Sequence, residues 1–189
     1  MTHPAKLVCA VSILLVGVAS PAVAQGKVDV GIEYQVQRLF ASGDGLNLPL
    51  GFNFDVAGKV ARHVSAVAQV DWSRKSESAS AFGASASASV NATTFGGGIR
   101  WSSAVNPHFM PFLQALLGAT HVSASASVTG LGEFSTATTD TMVQVGGGVG
   151  FPLSGHVGGV GQFDYRRIFA EGEGVNSIRG VFGIRWTLN

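Results

Sequence analysis

From residue 28 onward, apolar side chains recur at every second position in segment after segment, which is the period of a β-strand. The first segment sets Val28, Val30, Ile32, Tyr34 and Val36 against Asp29, Gly31, Glu33 and Gln35. A second sets Leu48, Leu50, Phe52, Phe54 and Val56 against Asn53, Asp55 and Lys59, and a third Ala66, Ala68, Val70 and Trp72 against Ser65, Gln69 and Asp71. The fourth opposes Phe95, Ile99 and Trp101 to Thr94, Gly96, Gly98 and Arg100. The fifth, at about 109–120, opposes Leu113, Ala115, Leu117 and Ala119 to Gln114 and Gly118. Three more follow: Val143, Val145 and Val149 against Gln144; Phe163 and Tyr165 against Gln162, Asp164 and Arg166; and Ile178, Phe182, Ile184, Trp186 and Leu188 against Arg179 and Arg185. Strands of about ten residues have the length that a tilted strand needs to cross a bilayer.

The connections alternate in length. Those at 61–63, 102–108 and 152–156 are brief, and those at 39–47, 74–91, 121–139 and 170–176 are longer. Short turns at one end and longer loops at the other predict an all-β fold: an eight-stranded antiparallel up-and-down transmembrane barrel with periplasmic turns and termini. A soluble eight-stranded barrel would instead point its apolar residues inward. The polar face decides between them. It carries Asp29, Glu33, Asp55, Asp71 and Asp164 with Lys59, Arg100, Arg166, Arg179 and Arg185, whereas the apolar face carries Trp72, Phe95, Trp101, Phe163, Tyr165, Phe182 and Trp186. Matched charges suit an enclosed lumen, and large aromatics suit the interfaces of a lipid-facing surface. Enclosed charges must pair or stay hydrated. The ten are therefore expected to form a cross-lumen network that plugs the barrel, with a gated ion path as the alternative.

The N-terminus changes the picture of destination. Lys6, an apolar run over 7–18 and Ala22-Val23-Ala24 before Gln25 have the layout of a secretory signal peptide, so residues 1–24 are expected to be cleaved and 25–189 to form one barrel domain. The apolar run is shorter than the roughly 20 residues of a spanning helix. Cys9 goes with the leader, so the mature chain has no thiol for a disulfide or a thiolate metal site. Lys6 goes too, which leaves 11 of the 12 basic residues against 11 acids. A neutral chain carries no nucleic-acid footprint and no bulk attraction to anionic lipopolysaccharide, though local patches are compatible with it.

In Pro111-Phe112-Leu113-Gln114-Ala115-Leu116-Leu117-Gly118, residues 144–148, Gln162-Phe163-Asp164-Tyr165 and the closing Gly183-Ile184-Arg185-Trp186-Thr187-Leu188, the chain resembles the small outer-membrane β-barrel domain family, which includes the membrane domain of OmpA-like proteins. The resemblance covers the mature chain and implies residence in the outer membrane of a Gram-negative bacterium. It also implies delivery by the barrel-assembly machinery, which reads the last strand. That strand ends Leu188-Asn189 instead of in an aromatic residue, and no peptidoglycan-binding domain is expected after it. The functions of family members differ too much to transfer.

Other motifs add little chemistry. The Gly96-Gly97-Gly98 and 146–150 glycine runs lie in period-two strands with no helix after them, so they read as relief of crowding and not as phosphate loops. His63, His108 and His156 fall in the three short turns, too dispersed for a metal site. His121 and Ser123 share a face, as in the His-x-Ser pair of lipid A deacylase barrels, with no convincing acid partner. The Ser/Ala alternation at 85–89 and 123–127 continues the strand period. It predicts pairing of the fourth and fifth strands above the bilayer with residue numbers summing to about 210, give or take a two-residue register shift, Ser87 opposite Ser123 and Ala86 opposite Ala124. The expected function is a structural or surface-interaction barrel with no catalytic, cofactor or metal residues. The alternatives are a narrow low-conductance channel and a deacylase-like enzyme.

Overall fold

The computed structural model describes residues 27–41, 44–81, 84–104, 108–128, 130, 132–170 and 174–188. The expected leader, with Lys6 and Cys9, lies outside them. Eight strands follow in chain order: β1 (Val28–Ala41), β2 (Asp44–Ala61), β3 (Val64–Ala81), β4 (Ala84–Ser102), β5 (Met110–Val128), β6 (Gly132–Ser154), β7 (Val157–Phe169) and β8 (Gly174–Leu188). Each pairs antiparallel with the next, and β8 pairs with β1, so the sheet closes without a free edge over its common height.

The alternation read from the sequence becomes an inside and an outside. In β7, Gln162, Asp164, Arg166 and Ile168 are buried, while Phe163, Tyr165, Arg167 and Phe169 are exposed. Exposed Leu113, Leu117, Ile99 and Phe182 continue the apolar outer belt. Inverting the usual arrangement, polar within and apolar without, is what a barrel does when its solvent is hydrocarbon.

Strand lengths differ from the sequence expectation. The spans read as long loops are mostly strand: β1 runs to Ala41, β3 to Ala81, β5 to Val128 and β7 to Phe169, and each partner resumes three to five residues later. On β4 and β5 this is the extension that the Ser/Ala alternation at 85–89 and 123–127 predicts; elsewhere polarity inverts where the outer face leaves the apolar belt, and a period-two pattern searched for apolar residues stops too early. On β3 to β5 the outward positions become Ser76, Ser78, Ser87, Ser89, Ser125 and Ser127, and the inward ones on β4 and β5 Ala86, Ala88, Ala124 and Ala126. Ser87 and Ser127 share a hydroxyl hydrogen bond of 2.9 Å, as do Ser89 and Ser125.

That pairing corrects the register. Ser87 lies opposite Ser127 and Ala86 opposite Val128, four residues from the expected alignment. The cause is at the other end: β4 meets β5 at Ser102 and Phe112, and the Ser103 amide donates to Pro111 O at 3.1 Å, so the turn is centred two residues later than the span 102–108 suggests. An even shift leaves every side chain on its own face.

A second correction concerns Leu48, read as outward with Leu50 but fully buried. The register of β1 with β2 slips between Gln35 and Gln37, placing Pro49 and Leu50 opposite Val36 alone. Proline has no amide to give the ladder, so a bulge forms there, and the alternation beyond it is inverted.

At the end away from the termini the wall divides. Pairing of β2 with β3 stops at Leu50 and Arg74, and that of β6 with β7 at Thr141 and Phe169. Beyond these points β3 to β6 continue as one sheet, and β7, β8, β1 and β2 as another.

Candidate functional site: the charged lumen

Inward positions of six strands carry the buried ions. Nearest the termini, Arg100 of β4 donates from Nη2 to Asp55 Oδ2 at 2.6 Å and from Nε and Nη2 to Gln114 Oε1 at 3.0 and 2.8 Å. Arg185 of β8 reaches Glu33 Oε1 at 3.1 Å and Asp55 Oδ1 at 3.2 Å. The Phe112 ring packs against both arginines, with guanidinium carbons 4.9 and 5.4 Å from its centroid. Such stacking suits arginine's flat, weakly hydrated head group.

Farther in, Asp71 of β3 receives Arg166 Nη2 at 2.5 Å and Arg179 Nη1 at 3.0 Å. Gln35 and Gln69 also donate to it, at 3.2 and 3.1 Å. Arg179 turns its other edge to Asp164 Oδ2, at 2.6 Å from Nη2 and 3.0 Å from Nε, while Gln162 donates to both Asp164 oxygens. Arg166 completes its fork on Gln144 Oε1 and Thr94 Oγ1. Asn53 joins the clusters, donating to Glu33 and accepting from Arg179 Nη1 at 3.1 Å.

Four acids and four arginines thus face one another, with neutral amides meeting many of the remaining donors and acceptors, while Arg100 Nη1, Arg185 Nε and one amide atom each of Gln69, Gln114 and Gln144 are buried without a protein partner. Beyond them Gln37 donates to Ser177 Oγ at 2.8 Å, and Leu48, Met142 and Ile168 close the layer with almost no exposed surface. Glycines on neighbouring strands make room: a Cβ at Gly146 would sit 1.9 Å from Asp164 Oδ1, and one at Gly31 2.1 Å from Asp55 Oδ1. Layered side chains that fill the interior are what an eight-stranded barrel has space for.

Two of the ten charges expected in the network lie outside its ion pairs. Asp29 is half-buried near the terminal rim, accepting from Thr187 Oγ1 at 2.6 Å, and Lys59 is exposed. Their parity is inward, but each stands at the mouth of the barrel, away from the buried arginines and acids. Sequence reasoning also passed over Gln35, Asn53, Phe112 and Gln144. The signal was present, since amides recur at inward positions of β1, β3, β5, β6 and β7.

On the outer face, Phe95, Trp101, Phe163, Tyr165, Phe182 and Trp186 are exposed, and Trp72 is half-buried beside Phe52. Trp101 and Trp186 stand toward the terminal end, with the His63 ring 6.5 Å from that of Trp101. His121 and Ser123 both point outward, but His121 Nδ1 bonds the Thr139 hydroxyl at 2.8 Å instead of a carboxylate. Asp140 lies on the opposite face, bonded to Thr138. Among the described residues, no three His, Asp or Glu side chains are grouped to hold a metal ion.

A family profile described as outer membrane protein beta-barrel domain matches residues 8–184. Among solved structures, Ail, the attachment invasion locus protein of Yersinia pestis, crystallised with the heparin analogue sucrose octasulfate, is 19% identical over 86% of this chain and 99% of its own, with a TM-score of 0.64. Neisserial surface protein A is 15% identical over 87% of this chain and 100% of its own, with a TM-score of 0.66. The N-terminal barrel domain of Pseudomonas aeruginosa OprF is 14% identical over 87% and 100%, with a TM-score of 0.50. At these identities the likeness is one of fold. No curated protein matched the chain.

Proposed function

The chain belongs to the outer membrane protein β-barrel domain family, and on that premise we propose that it is a closed, non-enzymatic surface barrel that displays the β3 to β6 sheet outside the cell. Residues 1–24 direct export and are removed, the barrel-assembly machinery inserts the rest, and the termini and the turns at 62–63 and 155–156 face the periplasm. One observation carries the reading. The lumen is filled by a charge-balanced, hydrogen-bonded plug, so the surfaces left for function are external. The sheet's outer face, built from serine hydroxyls, suits contact with polar surfaces. Ail, whose structure was solved with a heparin analogue, and a protein named for the neisserial surface share the fold and agree with an outward role.

The test is topological. Ser87→Cys, on the projecting sheet, should be labelled by a membrane-impermeant maleimide on intact cells, whereas Gly155→Cys should label only after the outer membrane is breached. The reverse pattern would overturn the orientation.

A filled lumen also makes planar-bilayer recordings silent, because ions would have to cross two layers of paired charges. Resolved unitary openings of the purified protein would favour the channel alternative. In the outer belt, brominated lipids should quench Trp101 and Trp186 strongly. Water-like emission that such lipids leave unmoved would remove those residues from the lipid face.

A further inference from the structure

Two hairpins carry ten-residue segments that are identical at six positions. Arg38-Leu39-Phe40-Ala41-Ser42-Gly43-Asp44-Gly45-Leu46-Asn47 joins β1 to β2, and Arg167-Ile168-Phe169-Ala170-Glu171-Gly172-Glu173-Gly174-Val175-Asn176 joins β7 to β8. Arg, Phe, Ala, both glycines and Asn are shared, and most other positions keep their type. The structure gives both copies one register: arginine opposite asparagine, and phenylalanine opposite glycine two residues later.

The copies also fold their side chains alike. The Arg38 guanidinium lies over the Phe40 ring, 5.2 Å from its centroid, and that of Arg167 over Phe169 at 5.8 Å. Each arginine crosses the glycine of its partner strand: a Cβ at Gly45 would stand 2.7 Å from Arg38 Nε, and one at Gly174 3.0 Å from Arg167 Nη2. The repeated glycine is therefore the space in which a repeated arginine lies. Arg38, Phe40, Arg167 and Phe169 are all exposed on the outer wall.

Because β8 pairs with β1, the two hairpins are neighbours. Arg38 is level with Ile178 and Arg167 with Asn176, so the arginines are separated by two strand spacings across and two residues along, about 12 Å. Below them on the same face lie Val36 and Tyr165 of the apolar belt. Asp44 pairs one rung beyond Phe40 and Gly45, away from the belt, so on β1 and β2 the arginine is the charge nearest the apolar surface.

We propose that the β7-β8-β1-β2 face is a binding site for a lipid headgroup carrying two phosphates about a disaccharide apart, as on the bisphosphorylated glucosamine lipid of the outer leaflet. Each guanidinium takes one phosphate by its forked hydrogen bonds, and the acyl chains run down the belt beneath. The site rests on the orientation given under the proposed function, which sets this rim in the outer leaflet.

Native mass spectrometry of the detergent-solubilised full chain tests it, with bisphosphoryl lipid A, monophosphoryl lipid A and phosphatidylglycerol offered at equal concentration. The unaltered protein should retain the bisphosphoryl lipid roughly ten-fold better than either other, the worth of one charge-assisted contact. Arg38→Ala and Arg167→Ala, each checked for folding by heat-modifiable gel migration, should each abolish that preference. Equal retention of the mono- and bisphosphoryl lipids by the unaltered protein would overturn the site without recourse to any variant. Undiminished preference in a folded double variant would overturn it as well. If Ser87→Cys labels from outside and no preference is seen, the lipid site fails and the surface-barrel reading stands. Labelling of Ser87→Cys only after breach removes both.

Discussion

Asp71→Ala should lower the unfolding free energy of the barrel by about 3–5 kcal/mol, because it leaves two fully buried arginines short of their shared carboxylate. The loss is dominated by the abandoned charges. Arg166 and Arg179 have essentially no exposed surface, so water cannot take the place of the missing oxygens, and Asp164 alone must balance Arg179. Glu77→Ala is the control. Its contact with Lys75 is 2.7 Å, comparable to the buried contacts, but Glu77 is 71% exposed, and its loss should cost under about 1 kcal/mol. Urea titrations in detergent, followed by gel migration of the folded form, compare the two directly. Matching midpoints would mean that the lumen is wet enough to screen its ions, and would sink the account of it as a stabilising plug.

Gly98→Ala should be about as damaging as a misfit in any dense core, costing roughly 1–3 kcal/mol or blocking closure altogether. An added Cβ there would lie 2.0 Å from the carbonyl oxygen of Ala115 and 2.9 Å from Leu116 Cα, both backbone atoms of β5 that cannot swing aside. Its neighbour should behave differently. At Gly97 the nearest atom to a Cβ is 3.8 Å away, so Gly97→Ala should fold and unfold like the unaltered protein. Equal stability of both variants would show that β4 and β5 are not pressed together as described.

That contrast shows how far the sequence could be read. Period two identified every strand and the face of nearly every side chain, because lipid outside and charge inside leave opposite residue types at alternate positions. It weakened where the outer face leaves the apolar belt. There serine replaces leucine outside and alanine replaces glutamine within, and although the Ser/Ala tracts of β4 and β5 still show the strand period, the spans at 39–47 and 170–176 read as loops. Leu48 was misplaced because one unpaired residue at Pro49 inverts everything beyond it. Asp29 and Lys59 had the right parity but the wrong depth, since a pattern along one strand does not say how far from the mouth a residue stands. Partners in the lumen were illegible for a related reason: strand tilt and stagger decide which arginine meets Asp71, and these are properties of the closed barrel.

The same contacts impose an order on assembly. Asp71 stands on the third strand, and both arginines that neutralise it stand on the last two, 95 and 108 residues farther along the chain. Glu33 on the first strand likewise waits for Arg185 on the eighth. Contacts this distant in sequence form late and slowly, so these pairs are completed only when the first and last strands have met, whereas Asp55 already finds Arg100 within the first four strands. The carboxy-terminal hairpin is thus the latch of the barrel: it brings the three arginines that complete the charge balance of Glu33 and Asp71 at the same seam where β8 closes on β1.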